Sequence, residues 1–475
     1  MQISPQNPHR WAQETFGSAK LGDSRRTDRL VTLASQSAKH TGKSLAAACE
    51  GDEALLEGSY RLIRNPKVEP MKIRQAGYEH TAELMHEFEE LLVLEDTTSL
   101  SYRHQTAEEL GKMGKKTDKS RGFWVHSALV LDARTYLTIG LVNQDWWLRP
   151  DDKEDADLKE SGKWADSSAL CRHRLGEQMA KVITVCDREA DLFEYLEDKC
   201  VNQERFIVRA QHMRTVQETG LKLPEHLLSS PSLGGYTLHI PQKGLKDKRG
   251  KRKNRPARQA QLEVYSRQIT IAQRGKEPLT FNAVMAKEVN PPQDDEALCW
   301  LLLTTEPVGT LAEALKVIQH YAARWRIEDF HKAWKSGAGV EDLRMATADN
   351  LERMASILGF IAVRLMQLRE SFTLPQTLKS LGLVEEAKEV SQMSASRVLT
   401  PEELKLLIIL CKQKNVVEPT SEWAYMQIVR LGGFNDTKRT GIASWDTLWK
   451  GWKLLQDALI GFVAAKEAMA AGFEI

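Results

Sequence analysis

The strongest constraint on the fold is a series of apolar segments between residues 91 and 210 with the composition of buried strands. Three come in succession: LLVLED (91–96), FWVHSALVLDA (123–133) and YLTIGLVNQDWW (136–147). Two more, KVITVCD (181–187) and ERFIVRA (204–210), each follow a segment typical of a helix. The order β-β-β-α-β-α-β predicts an α/β fold, a mixed sheet with helices on its faces.

Helical segments are predicted on both sides of this sheet. Near the N-terminus, Ser24 and Asp52 are suited to cap two helices. Residues 215–300 consist instead of short alternating segments separated by turn residues, which predicts an all-β insertion. We therefore expect a helical N-terminal domain (1–70), an α/β domain (71–370) with its insertion at about 211–300, and a helical C-terminal domain (371–475).

The last predicted helix begins after Ser444 and combines tryptophans with small residues. Its first half carries Trp445, Trp449 and Trp452, and its second half carries Gly461, Ala464, Ala465 and Ala468. Two interpretations stay open. The helix could belong to the core of its own subunit, or it could pack closely against a second copy of the chain.

Composition excludes several classes of protein. The 475 residues are 42% hydrophobic and 28% charged, which excludes a disordered or collagen-like chain. No run of 18 uncharged apolar residues occurs and the N-terminus has no apolar signal segment, so we expect a cytoplasmic protein without a membrane partner. The six cysteines are scattered without a C-x-x-C pair, which argues against a zinc site or a disulfide framework.

The net charge of +1 conceals a basic run at residues 243–258, KGLKDKRGKRKNRPAR. This run holds nine basic residues and one aspartate, a local charge of +8, so the rest of the chain sums to −7. A solvated loop is the ordinary interpretation of a few such charges. This density favours a polyanionic partner such as nucleic acid.

A long helix predicted to begin at Thr310 carries an unusual polar face. Thr310 and Glu313 form a T-x-x-E capping box, and Gly337-Ala338-Gly339 ends the helix. An acid, a phenol and three cations share an arc of about 80° on one face: Tyr321, Arg324, Glu328, Lys332 and Lys335. A surface ion pair between Glu328 and Lys332 would explain only two of them. The whole set favours phosphates held beside a carboxylate.

Two more carboxylates follow apolar strand segments, where α/β enzymes place their chemistry. Asp96 follows LLVLE and Asp187 follows KVITVC. Together with Glu328 they would supply hard oxygen ligands for Mg²⁺, and two ions about 4 Å apart are suited to phosphoryl transfer. The neighbouring Glu95 is expected to point to the opposite face of its strand, and Glu189 and Asp191 are interpreted as loop or cap residues.

Other enzyme classes lack their motifs. A phosphatase interpretation of DTTSL (96–100) fails because the second aspartate, two residues after the first, is missing. The sequence contains no P-loop, no G-x-S-x-G and no H-E-x-x-H.

The segment YAARWRIEDFHKAWK (321–335) contains the pattern Y-x2-R-x3-E-x6-K, and it resembles the signature of bacterial cut-and-paste DDE transposases of insertion-sequence family four. Further stretches resemble the same family: LEDTTSLSYRHQ, KSRGFWVHS, WWLRPDD, VCDREAD, DKRGKRKNRPAR, WLLLT and RLGGF. The resemblance extends over nearly the whole chain and weakens at 211–230, 262–280 and 385–420.

The resemblance implies a ribonuclease-H-like catalytic domain interrupted by a β insertion. It implies Asp96, Asp187 and Glu328 as a catalytic triad that binds two Mg²⁺ ions, for which Mn²⁺ would substitute. It also implies that Tyr321, Arg324, Lys332 and Lys335 hold phosphates of the transposon end. Trp300 matches the residue on which a flipped base stacks, although its position alone suggests a strand core residue.

The family pattern implies further DNA contacts, spread over all parts of the chain. They are Arg209, Tyr236, Lys243, Arg344 and Asn350, together with Arg29 and Arg61 in the N-terminal domain.

The resulting expectation is a transposase that cuts double-stranded DNA through a hairpin intermediate and inserts it into target DNA. The C-terminal domain would pair two subunits as a homodimer on DNA. Two alternatives stay open: a catalytically impaired regulator that binds transposon ends, and a metal-dependent nuclease without strand transfer. The three acids argue against the first alternative, and Trp300 together with the C-terminal domain argues against the second.

Overall fold

The structure is a computed structural model of the 475-residue chain. It describes all residues except 1–6, 104–108, 114–119, 150–159, 161, 241–242, 247–251, 256, 293–296, 381–383, 398, 413–417, 437–442 and 473–475. None of the helices in the described part has the length and hydrophobicity needed to span a lipid bilayer.

The N-terminal part is helical, as expected. Its helices are α1 (Pro8–Phe16), α2 (Ser24–Lys39), α3 (Leu45–Ala48), α4 (Glu53–Ile63) and α5 (Pro70–Leu84). Asp52 caps α4 by accepting a hydrogen bond from the Leu55 amide over 2.8 Å, which confirms one expected cap. The cap of α2 is Asp23 and not Ser24, because Asp23 has the extended backbone and accepts from the Arg25 amide over 3.0 Å.

The central sheet confirms the predicted ribonuclease-H-like fold. Its strands are β1 (Leu91–Tyr102), β2 (Gly111–Lys112), β3 (Arg121–Asp132), β4 (Thr138–Trp147), β5 (Val182–Cys186) and β6 (Arg205–Arg209). β1, β3 and β4 form an antiparallel meander, whereas β5 and β6 run parallel to β1 on its other side. Helices α6 (Lys163–Leu175) and α7 (Phe193–Val201) make the crossovers that parallel strands require.

The insertion extends this same sheet. After the short helix α8 (Leu223–Leu228) come β7 (Gly234–Ile240), β8 (Lys243–Lys246), β9 (Arg252–Arg255), β10 (Arg258–Ile271), β11 (Leu279–Val289) and β12 (Cys299–Thr304). β12 pairs with β6, and the order continues through β11 and β10 to β7, while β8 and β9 form a separate hairpin. The insertion is thus predominantly β, with α8 as a helical addition.

The helix expected between residues 310 and 337 is divided into three pieces. They are α9 (Leu311–Ala322), α10 (Trp325–Lys332) and a π-helical turn at Ala333–Gly337. The capping box of Thr310 and Glu313 is confirmed. Expecting one regular helix was wrong, since Ala323 and Arg324 form a turn and the π-helical piece shifts the register of the residues after Lys332.

The remainder of the chain is helical. It comprises α11 (Ala348–Ser380), α12 (Val384–Ser391), α13 (Pro401–Leu410), α14 (Ser421–Leu431) and α15 (Trp445–Ala470). The proposed domain boundary at 370 falls inside α11, which packs on both β4 and the N-terminal helices. This helix therefore joins the three parts of the chain.

Candidate active site and nucleic-acid interface

Asp96 and Asp187 lie on adjacent parallel strands. Asp187 directly follows β5, as predicted. Asp96 lies in the middle of β1, so the expectation that this strand ends there was wrong. The antiparallel pairing with β3 continues to Tyr102, whereas the pairing of β1 with β5 stops at Leu94 and Val185. Both acids thus stand just beyond the last β1–β5 pair.

Arg324 connects Asp96 with the third acid of the expected triad. Its Nη1 lies 3.3 Å from Asp96 Oδ2 and its Nη2 lies 2.9 Å from Glu328 Oε1. Arg324 is buried in the turn before α10, which packs on β1. The alternative interpretation, a surface i,i+4 pair of Glu328 with Lys332, is not what the structure contains: Glu328 pairs with Arg324, and Lys332 lies 3.8 Å from Asp329.

Burial and neighbouring charges shift the pKa of the Asp96 carboxyl group. The pKa of Asp96 is raised from 3.8 to about 6, mainly by burial, and the negative charges of Asp187 and Glu328 act in the same direction. Arg324 and the Thr97 amide, which donates to Oδ1 over 2.8 Å, act in the opposite direction. The negative charges of Asp187 and Glu328 thus both reach Asp96, and a carboxyl group perturbed in this way is typical of a functional site.

The loop after β5 is held by two carboxylates. Asp187 Oδ1 accepts a hydrogen bond from the Glu189 amide over 2.8 Å, and Glu189 lies 3.0 Å from Lys163. Asp191 is buried and accepts from the Gln211 and His212 amides and from Arg214. Asp191 thus ties the loop that carries Asp187 to the start of the insertion, which agrees with its interpretation as a loop residue.

The chemistry of the donor set fits a hard divalent cation. All three side chains are carboxylates, whose oxygens are the ligands that hard divalent cations prefer. Asp187 and Glu328 raise the pKa of Asp96, and a bound cation would lower it. Among the described residues, however, no group of three or more His, Cys, Asp or Glu side chains surrounds a common point at ligand distance. The bridging guanidinium of Arg324 occupies the space between Asp96 and Glu328.

Trp300 and Tyr321 form an aromatic pair. Trp300 lies on β12, and its half-buried ring meets the buried Tyr321 ring at a centroid distance of 5.2 Å and an interplanar angle of 77°. This edge-on contact fixes the Trp300 ring while part of it stays accessible. Both the core interpretation and the stacking interpretation of Trp300 are compatible with this geometry.

The other residues of the predicted polar face differ in exposure. The Lys332 side chain is 60% exposed, and Lys335 Nζ lies 3.9 Å from Glu341 Oε1. Tyr321, by contrast, is only 3% exposed. Lys332 is thus open to solvent, Lys335 lies beside Glu341, and Tyr321 packs against Trp300.

The remaining predicted DNA contacts lie on several elements. Arg209 ends β6, and Tyr236 lies half-buried on β7. Arg344 is exposed after the π-helical turn, but Asn350 is buried and accepts a hydrogen bond from Arg353 over 3.0 Å. Lys243 begins β8; its side chain, like much of the basic run, lies outside the described residues.

The two N-terminal arginines lie on α2 and α4. Arg61 is exposed and pairs with Glu57 over 2.9 Å within α4. Arg29 is half-buried, with its guanidinium beside Gly58, where a Cβ would stand 2.6 Å from Cζ. A side chain at position 58 would thus displace Arg29.

Two residues of the site were not identified as such from the sequence. Trp325 is 58% exposed, next to Arg324, whose Cζ lies 5.7 Å from its ring centroid. The sequence signal for Trp325 is an aromatic residue directly beside the polar face of the predicted helix. Glu95 lies buried behind Asp96, as its alternation in the strand predicted, but its partners come from distant segments.

Two family models match separate regions of this chain. Residues 8–68 match the family model described as transposase DNA-binding, and residues 160–365 match the one described as transposase DDE domain. A solved structure of a piggyBac transposase synaptic complex with hairpin DNA is similar over 92% of this chain and 87% of that chain, at 9% identity and a TM-score of 0.39. The two family matches support a DDE transposase that binds DNA; Asp187 and Glu328 lie within the DDE match, and Asp96 precedes it.

Proposed function

We propose that this chain is a cut-and-paste transposase of insertion-sequence family four, close to the transposon Tn-five transposase. It binds transposon ends, cleaves them through a hairpin intermediate and joins the freed element to target DNA. The observation that carries the proposal is the junction of β1, β5 and α10, where the charges of Asp187 and Glu328 act on Asp96 and Arg324 bridges Asp96 and Glu328.

Asp96, Asp187 and Glu328 are the residues that would hold divalent ions, two Mg²⁺ in our proposal, with Mn²⁺ as a substitute. When bound, such ions activate the attacking oxygen and stabilise the leaving oxygen in phosphoryl transfer. The rigid part of the site is supplied by the chain itself, since Asp96 stands within a paired strand and Asp187 follows a fully buried one.

The cationic side chains orient DNA and neutralise its charge. Arg324, Lys332 and Lys335 lie on successive turns beside Glu328, so they can hold phosphates next to the reacting one. In-line phosphoryl transfer needs little from the protein beyond such positioning and charge stabilisation.

Four transfers follow in our scheme. Water cleaves the strand whose 3′ end belongs to the transposon. The freed 3′-OH then attacks the phosphodiester of the opposite strand, which forms the hairpin and releases the flanking DNA. Water then reopens the hairpin, and the 3′-OH attacks target DNA. Trp300, fixed by Tyr321, offers a platform on which a base displaced by the hairpin can stack, which offsets part of the lost stacking energy.

The domain roles belong to this proposal. Residues 1–70 would bind the transposon end, residues 71–370 would carry catalysis, and residues 371–475 would pair two subunits into a homodimer on DNA. The chain would act in the bacterial cytoplasm, at the nucleoid when bound. A regulator that occupies ends without cutting them is the alternative, and it requires the three acids to be inactive.

A gel assay distinguishes these possibilities. Purified protein is incubated with Mg²⁺ and a DNA fragment that carries the ends flanking the gene in its genome. Nicked, hairpin and flush-cut products, followed by joining to a supercoiled target, establish the transposase. A shifted complex without products supports the regulator, and cleavage without hairpin or joining supports a nuclease.

A further inference from the structure

A side-chain contact connects β1 and β5 at the residues directly before Asp96 and Asp187. Backbone pairing between β1 and β5 ends at Leu94 and Val185. The next residues, Glu95 and Cys186, face each other on the opposite side from the acids. The Cys186 thiol donates to Glu95 Oε2 over 3.5 Å. This contact continues the connection between the strands just before Asp96 and Asp187.

Glu95 also fastens a helix to this junction. Its Oε1 accepts a hydrogen bond from the Ser167 hydroxyl of α6 over 2.8 Å, and Cys186 Sγ lies 3.3 Å from the Tyr195 hydroxyl of α7. Glu95 is 1% exposed, and Cys186 and Ser167 are fully buried. Four elements thus meet in one hydrogen-bonded group: β1, β5, α6 and α7.

Filling this buried space with a carboxyl group is energetically unfavourable. Its transfer from water costs free energy that only good hydrogen bonds recover, and apolar side chains of similar volume would pack the strands at least as well. Apolar packing does not supply a directional contact that fixes the distance between β1 and β5. The polar group lies one residue beyond the last backbone pair of these two strands.

We propose that Glu95 is a positioning residue that holds Asp96 and Asp187 at the separation needed for divalent ions. It acts through Ser167 and Cys186 and touches neither DNA nor the reacting atoms. The inference rests on the proposed function, since it takes the two aspartates to be ligands. Partners behind the ligands typically contribute about 10–100-fold to metal affinity or activity.

Three variants of the full-length chain test this role. Glu95→Leu has a similar volume and removes both hydrogen bonds. Glu95→Gln keeps the acceptor for Ser167 and replaces the acceptor for the Cys186 thiol by an amide donor, to which the sulfur can turn as acceptor. Val182→Ala is the matched control, because Val182 is equally buried at the other end of β5 and its truncation destabilises the strand without altering the group around Glu95. Ser167→Ala removes a single hydrogen bond and replaces Glu95→Leu if that variant does not fold.

The first readout is Mn²⁺ binding, measured by electron paramagnetic resonance without DNA. We expect Glu95→Leu to bind Mn²⁺ at least about 10-fold more weakly than the wild type, Ser167→Ala to show a smaller loss, and Glu95→Gln and Val182→Ala to bind normally. The second readout is the ratio of Mn²⁺- to Mg²⁺-supported cleavage. This ratio should rise in Glu95→Leu, since Mg²⁺ demands near-ideal octahedral geometry.

Unchanged binding and an unchanged ratio in Glu95→Leu, or in Ser167→Ala in its place, would overturn the positioning role. An equal loss in Val182→Ala would do so as well, because it would show a general effect of instability. Asp187→Asn separates this failure from that of the proposed function. If Asp187→Asn binds as much Mn²⁺ as the wild type, or if neither protein binds it, the metal site itself is absent and both proposals are wrong.

Discussion

The guanidinium of Arg324 donates to the carboxylate of Asp96 over 3.3 Å, and it thereby fastens the start of α10 to the middle of β1. The same group reaches Glu328 over 2.9 Å. One cation thus balances two of the three acids, Asp96 and Glu328. Arg324 consequently has a structural effect on the acids in addition to its proposed contact with phosphate.

Replacing Arg324 should destabilise the site in a way that a divalent ion repairs. Arg324→Ala leaves the carboxylates facing one another without their cation, at a cost below the roughly 3–5 kcal/mol of a fully buried pair because Glu328 is partly exposed. Thermal unfolding in EDTA should show a lowered Tm, and added Mg²⁺ should raise the Tm of Arg324→Ala more than that of the wild type.

Lys332→Ala serves as the control for Arg324→Ala. Lys332 is exposed and lies 3.8 Å from Asp329, so its loss should change stability by less than about 1 kcal/mol. Equal Mg²⁺ responses in all three proteins would contradict the balancing role of Arg324.

Trp300→Ala should slow hairpin formation and reopening more than the first nick. Stacking of a base on an aromatic ring contributes about 1–3 kcal/mol, so we expect a loss of roughly 10-fold in the hairpin steps. Single-turnover assays that separate the nicked, hairpin and cut species measure each step. Trp300→Phe keeps a platform and should retain most of the rate, whereas an equal loss at every step in Trp300→Ala would favour a core role.

His320 should make stability depend on pH. The pKa of His320 is lowered from 6.5 to about 4, mainly by burial, with the charge of Lys316 acting in the same direction and that of Glu90 opposing it. Because the unfolded chain gains this proton below about pH 6.5 and the folded chain only near pH 4, stability present above pH 6.5 is lost as the pH falls towards 4. The loss is on the order of 3 kcal/mol.

His320→Gln removes this proton and keeps a hydrogen-bonding partner for Tyr136, whose hydroxyl lies 3.1 Å from His320 Nδ1. Urea unfolding at about pH 7 and about pH 4.5 should show a smaller decrease for the variant than for the wild type. Identical decreases in the two proteins would assign the acid sensitivity to other groups.

Neutralising part of the basic run should weaken the salt dependence of DNA binding. For Lys248, Arg249 and Lys251 changed to Gln, each lost phosphate contact should lower the slope of log K against log salt by about 0.9. Fluorescence anisotropy at several salt concentrations gives the slope. The control is a variant with three lysines elsewhere on the chain changed together to Gln: Lys72, Lys276 and Lys405. Equal slopes in both variants would show that the basic run does not contact DNA.

The sheet could be predicted because its strands carry their own signal. Segments such as VITVC (182–186) are almost entirely apolar, as strands covered on both faces must be, and the strand order then leaves few topologies. The break at Ala323 and Arg324 could not be predicted in this way. Both residues favour helices, so only the packing of Arg324 between Asp96 and Glu328 distinguishes the turn from a continuous helix.

The site was partly predictable for a similar reason. The alternation of a strand is a local rule, and it correctly directed Asp96 and Glu95 to opposite faces. The partners of Glu95 are 72 and 91 residues away, and no local pattern links Ser167 or Cys186 to it. Contacts of that kind arise from the fold as a whole.

The most direct test of the account is single-turnover cleavage by amide variants of the three acids. Asp96→Asn, Asp187→Asn and Glu328→Gln keep side-chain shape, and Glu189→Gln is the control because Glu189 lies two residues from Asp187 yet is exposed and pairs with Lys163. We expect all four variants to bind the transposon end and only Glu189→Gln to cleave it in Mg²⁺. Cleavage at the wild-type rate by any of the three triad variants would contradict the assignment.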